Sequence, residues 1–259
     1  MADFLDTLAR DARTSIEEGY YSSPHPANSK GRSLASGLRR ASGAAVIAEL
    51  KYASPSAGRL ARAGDPDEIV GQMVSGGAAA ISVVTEPIHF EGSLETIARV
   101  RRLVDLPVLM KDIVLSDIQV EAAKEVGADA VLLILGLFDR HYCDLGLGEM
   151  IDACHSRGLE VLLEVHTRTE FARAVRTEAD LIGINNRDLR TLRVDLYSTR
   201  RILDKAARDG RIVVSESGIR TAADVRFLHS SGAGAFLVGS ALMEAPSIRQ
   251  KLTELVRAL

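Results

Sequence analysis

The sequence predicts an α/β protein folded as a closed (β/α)8 barrel with an N-terminal helical extension. Three observations carry this expectation: eight short apolar runs, helical patterns between them, and a length of 259 residues, ordinary for such a barrel. The runs begin near Ala45, Ala79, Pro107, Ala128, Leu159, Asp180, Arg211 and Ala235. Each is a continuous stretch rich in Val, Ile and Leu, as expected of strands in a parallel sheet buried on both faces. Eight strands match a barrel, whereas a doubly wound open sheet usually has about five or six.

The helices between the runs have readable ends. Asp65 before Pro66 sets a capping side chain ahead of a proline at the first helical position. Ser116 with Gln119, Thr167 with Glu170 and Thr221 with Asp224 form capping boxes or close variants, and Gly127 and Gly232 stand where helices should stop. Ahead of the first run, Phe4, Leu8, Ala12, Ile16 and Tyr20 recur at every fourth position, an amphipathic helix that needs an apolar surface beneath it. The stretch from Ser22 to Ser29, with Pro24 and Pro26, breaks that helix. Residues 1–44 therefore read as an extension packed on a barrel of residues 45–259, one domain in all.

Composition narrows the class of function. With 46% hydrophobic residues, 26% charged residues and a formal net charge of -3, the chain is an ordinary globular protein with no basic surplus for nucleic acid. Cys143 and Cys154 have no metal-ligand spacing and are too few for a disulfide framework, so both are expected to be reduced and structural. Neither a signal-peptide pattern nor an apolar run of roughly 18 residues occurs, which predicts a cytoplasmic protein with no membrane partner. A monomer or weak homo-oligomer acting on a small phosphorylated molecule is the expected assembly.

In such barrels the active site forms at the carboxyl ends of the strands, so polar residues that end apolar runs are the candidates. The first run ends in Glu49-Leu50-Lys51, and residues two apart on a strand share a face, so Glu49 and Lys51 point the same way. The third run enters Lys111-Asp112, the fifth ends with Glu164, the sixth gives Asn185-Asn186-Arg187 and the seventh gives Ser215-Glu216-Ser217. Any one of these alone is more simply a solvated strand-end charge. Two lysines and three glutamates on one rim are not.

Ser217-Gly218 after the seventh run and Gly239-Ser240 after the eighth occupy the place where barrels hold phosphate on backbone N–H groups, with paired turn glycines as the lesser alternative. The residues alone thus predict a phosphate-dependent lyase or isomerase using acid–base chemistry, with a lysine whose pKa is lowered by desolvation or neighbouring cations. His89 and His166 lie beyond strand ends but lack metal-binding spacing, and the nearby lysines disfavour a cation, so no metal is expected. Two other readings stay open: a Schiff-base aldolase with Lys111 or Lys51 as nucleophile, and a barrel that binds phosphate without catalysis.

Longer motifs add a resemblance. The segment Ile47 to Ser56 (IAELKYASPS) resembles the signature of indole-3-glycerol-phosphate synthases. So do Ser82 to Pro87 with Phe90, Gly92, Ser93 and Leu94, then Pro107 to Asp112 and Gly127 to Ile134, which includes Leu132. Leu163 to His166, Gly183 to Leu189 and Val214 to Ile219 complete the series in the same order, over about residues 45 to 245.

The resemblance implies cyclisation of 1-(2-carboxyphenylamino)-1-deoxyribulose 5-phosphate with loss of carbon dioxide and water, and no cofactor. It implies Lys111 as the acid at the substrate ketone, Glu164 in dehydration, Lys51 and Glu49 as a second acid–base pair, and Asn185 and Glu216 as orienting groups. Ser217, Gly218, Gly239, Ser240 and Lys51 would face the phosphate, with Arg187 and Ser54 near the carboxylate and Phe90 and Leu132 against the ring. This chain departs from the pattern at Ile113, where the family usually has phenylalanine, so one aromatic wall would be absent or come from elsewhere. Tyr52 and Ala57 stand where basic residues are common, and residues before 44 match poorly.

Overall fold

The computed structural model describes residues 3–22, 31–54, 58–59, 64–207 and 209–259. Its strands are β1 (Val46–Leu50), β2 (Ala80–Val84), β3 (Val108–Lys111), β4 (Ala130–Ile134), β5 (Glu160–Val165), β6 (Leu181–Asn185), β7 (Val213–Glu216) and β8 (Ala235–Val238). All neighbours pair in parallel, and the sheet closes in the order β1-β8-β7-β6-β5-β4-β3-β2. This is the expected (β/α)8, or TIM, barrel, with every strand starting at or up to two residues after the predicted position. After β1, Ala53–Ser54 pairs antiparallel with Gly58–Arg59.

The caps behave as their chemistry requires. Asp65 accepts from the N–H of Asp67, and Thr221 and Asp224 satisfy each other's backbone donors. Glu170 departs from the reciprocal box: Thr167 accepts from its N–H, but its carboxylate reaches the N–H of His166 at 2.7 Å.

Apolar burial divides into two bodies. One lies between the strands and the outer helices, with Val46, Val108, Leu133, Leu163 and Phe236 on the strand side. The other fills the barrel, where Ile47, Leu109, Leu132, Leu162, Val214 and Leu237 meet from alternate strand positions. The extension belongs to this second body. Helix α1 (Phe4–Glu17) contributes Leu5, Leu8, Ala9 and Ala12, and helix α2 (Leu34–Arg39) contributes Leu34, Ala35 and Leu38.

The two helices take opposite ends of the barrel. At the amino end, Ser33 and the N–H of Ala35 donate to Glu160 at 2.5 and 2.9 Å, and the N–H of Arg32 donates to Asp129 at 2.7 Å. At the carboxyl end, His89 contacts Asp11 at 2.6 Å, Arg13 pairs with Asp144, and Arg140 bridges Asp3 and Asp6. Helix α1 is shorter than its apolar repeat, because Gly19 turns the chain at positive φ and frees Tyr20 from the helix. The Tyr20 hydroxyl instead donates to the carbonyl of Thr85 and accepts from the N–H of Leu94. The proline-containing stretch from Pro24 to Ser29 lies outside the described residues.

Candidate active site

A cavity of 380 Å³ opens at the carboxyl ends of the strands. Glu49, Lys51, Phe90, Lys111, Leu132, Glu164, Asn185, Arg187, Glu216, Ser217, Gly218, Gly239 and Ser240 all line it. These positions span nearly 200 residues of sequence, and the strand register brings them together: Glu164 lies opposite Gly183, and Asn185 opposite Glu216. Of the expected site residues only Ser54 is missing, since its side chain lies outside the described residues.

Charges of both signs are interleaved on the cavity floor. Glu49 is buried, takes Lys51 Nζ at 2.9 Å on Oε1 and has Lys111 Nζ 4.0 Å from Oε2. Burial pushes the Glu49 carboxyl up, but Lys51, Lys111 and Arg187 outweigh it and hold it below its usual value. Burial likewise pulls Lys111 down, yet the field of Glu49, Glu164 and Glu216 reverses the effect and raises it. The expected lowering of a lysine pKa is therefore corrected for Lys111: three carboxylates keep its ammonium charged. That state suits a proton donor and opposes the free amine an aldolase nucleophile needs.

Glu164 and Glu216 form the other half. Asn185 Nδ2 donates to Glu164 Oε1 at 3.1 Å, and Asn185 Oδ1 accepts from the N–H of Arg187 at 2.9 Å, so one amide orients two charged residues. Among the described residues no donor reaches Glu164 Oε2 or either oxygen of Glu216. Burial and the adjacent Glu164 together hold Glu216 well above the usual carboxylate range.

Two glycines make this geometry possible. A Cβ on Gly183 would stand 2.1 Å from Glu216 Oε1, and one on Gly239 would stand 2.2 Å from Glu49 Oε1. Bare backbone on β6 thus lets Glu216 lean toward Glu164, while Gly239 admits the Glu49–Lys51 pair. Ser217 and Gly218 take successive positive φ angles of 66° and 85°.

The upper walls are apolar, and part of them escaped sequence reasoning. Phe4 and Leu8 of α1 line the cavity with Phe90, Ile113, Ile134 and Leu189. Phe4 and Phe90 are the aromatic side chains in this lining, which Ile113 shares. The fourfold stripe of the extension was the available signal for Phe4 and Leu8, but it gave no direction. Asp112, also missed as a site residue, is buried at the cavity edge and accepts from Tyr21 Oη at 3.0 Å, Thr85 Oγ1 at 2.5 Å and the N–H of Ile113 at 2.7 Å. Burial pushes its carboxyl up to about 6. Through Tyr21 the extension is thereby tied to the residue after Lys111.

A parallel eightfold barrel whose strand ends gather lysines and buried glutamates around one cavity has the architecture of an enzyme of the barrel class. Solved structures with this fold include thiamine phosphate pyrophosphorylase from Pyrococcus furiosus, with a TM-score of 0.59, 21% identity, and 83% of this chain and 94% of that one covered. A protein from Aquifex aeolicus superposes with a TM-score of 0.61 at 14% identity, covering 87% of this chain and 98% of the other. These likenesses establish the fold alone. The chain belongs to the indole-3-glycerol phosphate synthase family, whose sequence profile matches residues 9–255. Relatives bearing that name include proteins from Halobacterium salinarum, 45% identical over 82% of this chain and 80% of the relative, and Roseiflexus sp., 42% identical over 86% and 84%.

Proposed function

We propose that this chain converts 1-(2-carboxyphenylamino)-1-deoxyribulose 5-phosphate into indole-3-glycerol phosphate, carbon dioxide and water, as a carboxy-lyase of tryptophan biosynthesis. The observation that carries the reading is the meeting of Lys51, Lys111, Glu49, Glu164 and Glu216 in one cavity beneath an apolar wall. Three cations, Lys51, Lys111 and Arg187, line the cavity. The cavity then favours a substrate carrying a carboxylate and a phosphate.

The reaction divides among these groups. Lys111 protonates the ketone oxygen as the aryl carbon attacks, an interaction that strengthens as charge develops on that oxygen. The aryl–carboxylate bond then breaks, and its electron pair restores the aromatic ring. Dehydration follows, with Glu164 taking a proton from carbon and Lys51, paired with Glu49, protonating the departing hydroxyl. Asn185 and Glu216 orient these groups. Ser217, Gly218, Gly239 and Ser240 seat the phosphate together with Lys51, Arg187 and Ser54 receive the carboxylate, and Phe90 and Leu132 hold the ring.

The test is direct turnover of the carboxyphenylamino sugar phosphate, followed by indole fluorescence. Removing a positioned acid or base costs roughly 10²–10⁴-fold, so Lys111→Ala should nearly abolish turnover and Glu164→Gln should lower it strongly, both with unchanged circular dichroism. Wild-type rates in both variants would overturn this assignment. Among the described residues no helix is long and apolar enough to cross a membrane.

A further inference from the structure

The proposed chemistry has a proton deficit. Ring closure moves a proton from Lys111 to the ketone oxygen, and departure of carbon dioxide from a carboxylate returns none. In dehydration the proton lost from carbon and the proton gained by the hydroxyl cancel. One proton per turnover must therefore enter from solvent, while substrate stands between Lys111 and the mouth and α1 lies across it.

Beside Glu164 lies a group this mechanism does not use. His166 Nε2 sits 3.4 Å from Glu164 Oε1, the oxygen that also takes the Asn185 amide, and it is buried with no hydrogen-bond partner among the described residues. On the opposite edge of the ring, Nδ1 lies 3.9 Å from Glu170 Oε2. Glu170 is held there because its carboxylate accepts from the N–H of His166, and its side chain is 19% exposed against 2% for Glu164. Imidazole is the side chain suited to gain a proton on one nitrogen and release one from the other. The Arg173–Asp139 pair, farther along the same helix, closes on itself at 2.7 Å and leaves Glu170 to face the ring.

We propose that Glu170 and His166 form the proton inlet of the active site, with His166 acting through Glu164. A solvent proton reaches Glu170 and passes to Nδ1 while Nε2 gives its proton to Glu164. The carboxylate pair then restores the proton of the Lys111 amine, a far stronger base, and tautomer exchange resets the ring. No bond other than N–H and O–H is made or broken. Closing the 3.4 Å and 3.9 Å separations to hydrogen-bond length takes about half an ångström and about one ångström, a tightening of catalytic contacts that substrate binding is to supply.

This inference rests on the proposed reaction, and the experiment separates the two. Purified wild type, His166→Gln and Glu170→Gln are compared in single turnover, with enzyme in excess, and in steady state at low buffer concentration. The first turnover uses the resident proton, so its rate should hold in both variants. The steady-state kcat should fall roughly tenfold with KM unchanged, and free imidazole should restore it in His166→Gln. A relay that does not exist leaves kcat unaltered, or lowers single-turnover and steady-state rates equally without imidazole rescue; either result overturns the inlet. If His166→Gln does not fold, Glu170→Gln and the dependence of its kcat on buffer concentration decide the matter. No turnover by wild type would strike the reaction itself rather than the relay.

Discussion

The two ends of the barrel bury carboxylates in opposite ways. At the amino end Asp129 is 1% exposed and accepts from Arg101 Nη1 at 2.6 Å, the N–H of Val108 at 2.9 Å and the N–H of Arg32 at 2.7 Å. At the carboxyl end Glu164 and Glu216 are equally buried, yet three of their four oxygens take no donor from the described residues. A buried charge is tolerable when every lone pair is met and costly when it is not. The satisfied end holds the barrel together; on the proposed reading the unsatisfied end keeps its oxygens for substrate, the usual trade of stability for activity.

The largest effect should come from breaking the satisfied end. Arg101→Met removes the ion pair to Asp129 and the hydrogen bond to the carbonyl of Leu106, and should lower unfolding free energy by about 3 kcal/mol. Denaturant titration measures this, and kcat below the transition should stay at the wild-type value. The reverse is expected at the mouth. Glu216→Gln supplies an amide donor to Glu164 and removes a group held above its normal range, so stability at pH 7 should rise by about 1–3 kcal/mol while turnover falls. A Glu216→Gln protein that is less stable than wild type would erase the contrast between the two ends.

A pH-dependent effect sharpens the comparison further. Asp112 titrates near 6 in the folded chain and near its ordinary 3.8 when unfolded, so the native state binds more protons in that interval. Its contribution is fully present below about pH 4 and is lost as pH rises through 6, a difference of roughly 2–3 kcal/mol. Unfolding free energy of wild type relative to Asp112→Asn should therefore decline across that window. A flat difference would show that Tyr21 and Thr85 compensate the buried charge in full.

Much of the carboxyl rim was legible because period and composition change together there: an apolar run ending in Lys or Glu declares both the strand and its open end. Strand limits, the capping residues and the convergence of Glu49, Lys111, Glu164 and Glu216 all followed from that signal. What the sequence withheld was direction across space. Phe4 and Leu8 showed a stripe but not the cavity it covers, and Leu34 and Leu38 gave no sign of lying on the barrel floor. The raised pKa of Lys111 was also hidden, since its sign depends on three glutamates outweighing desolvation, a balance set by geometry. Gly183 read as an ordinary strand residue, because only the register places it under Glu216.

The placement of α1 and α2 has a consequence for synthesis. Arg13 reaches its partner 131 residues later and Ser33 its partner 127 residues later, so neither helix has a docking surface when it leaves the ribosome. Contacts this distant form slowly and leave early segments exposed while the rest of the chain is made. The apolar stripe from Leu5 to Ala12 thus stays uncovered until β4 and β5 have emerged.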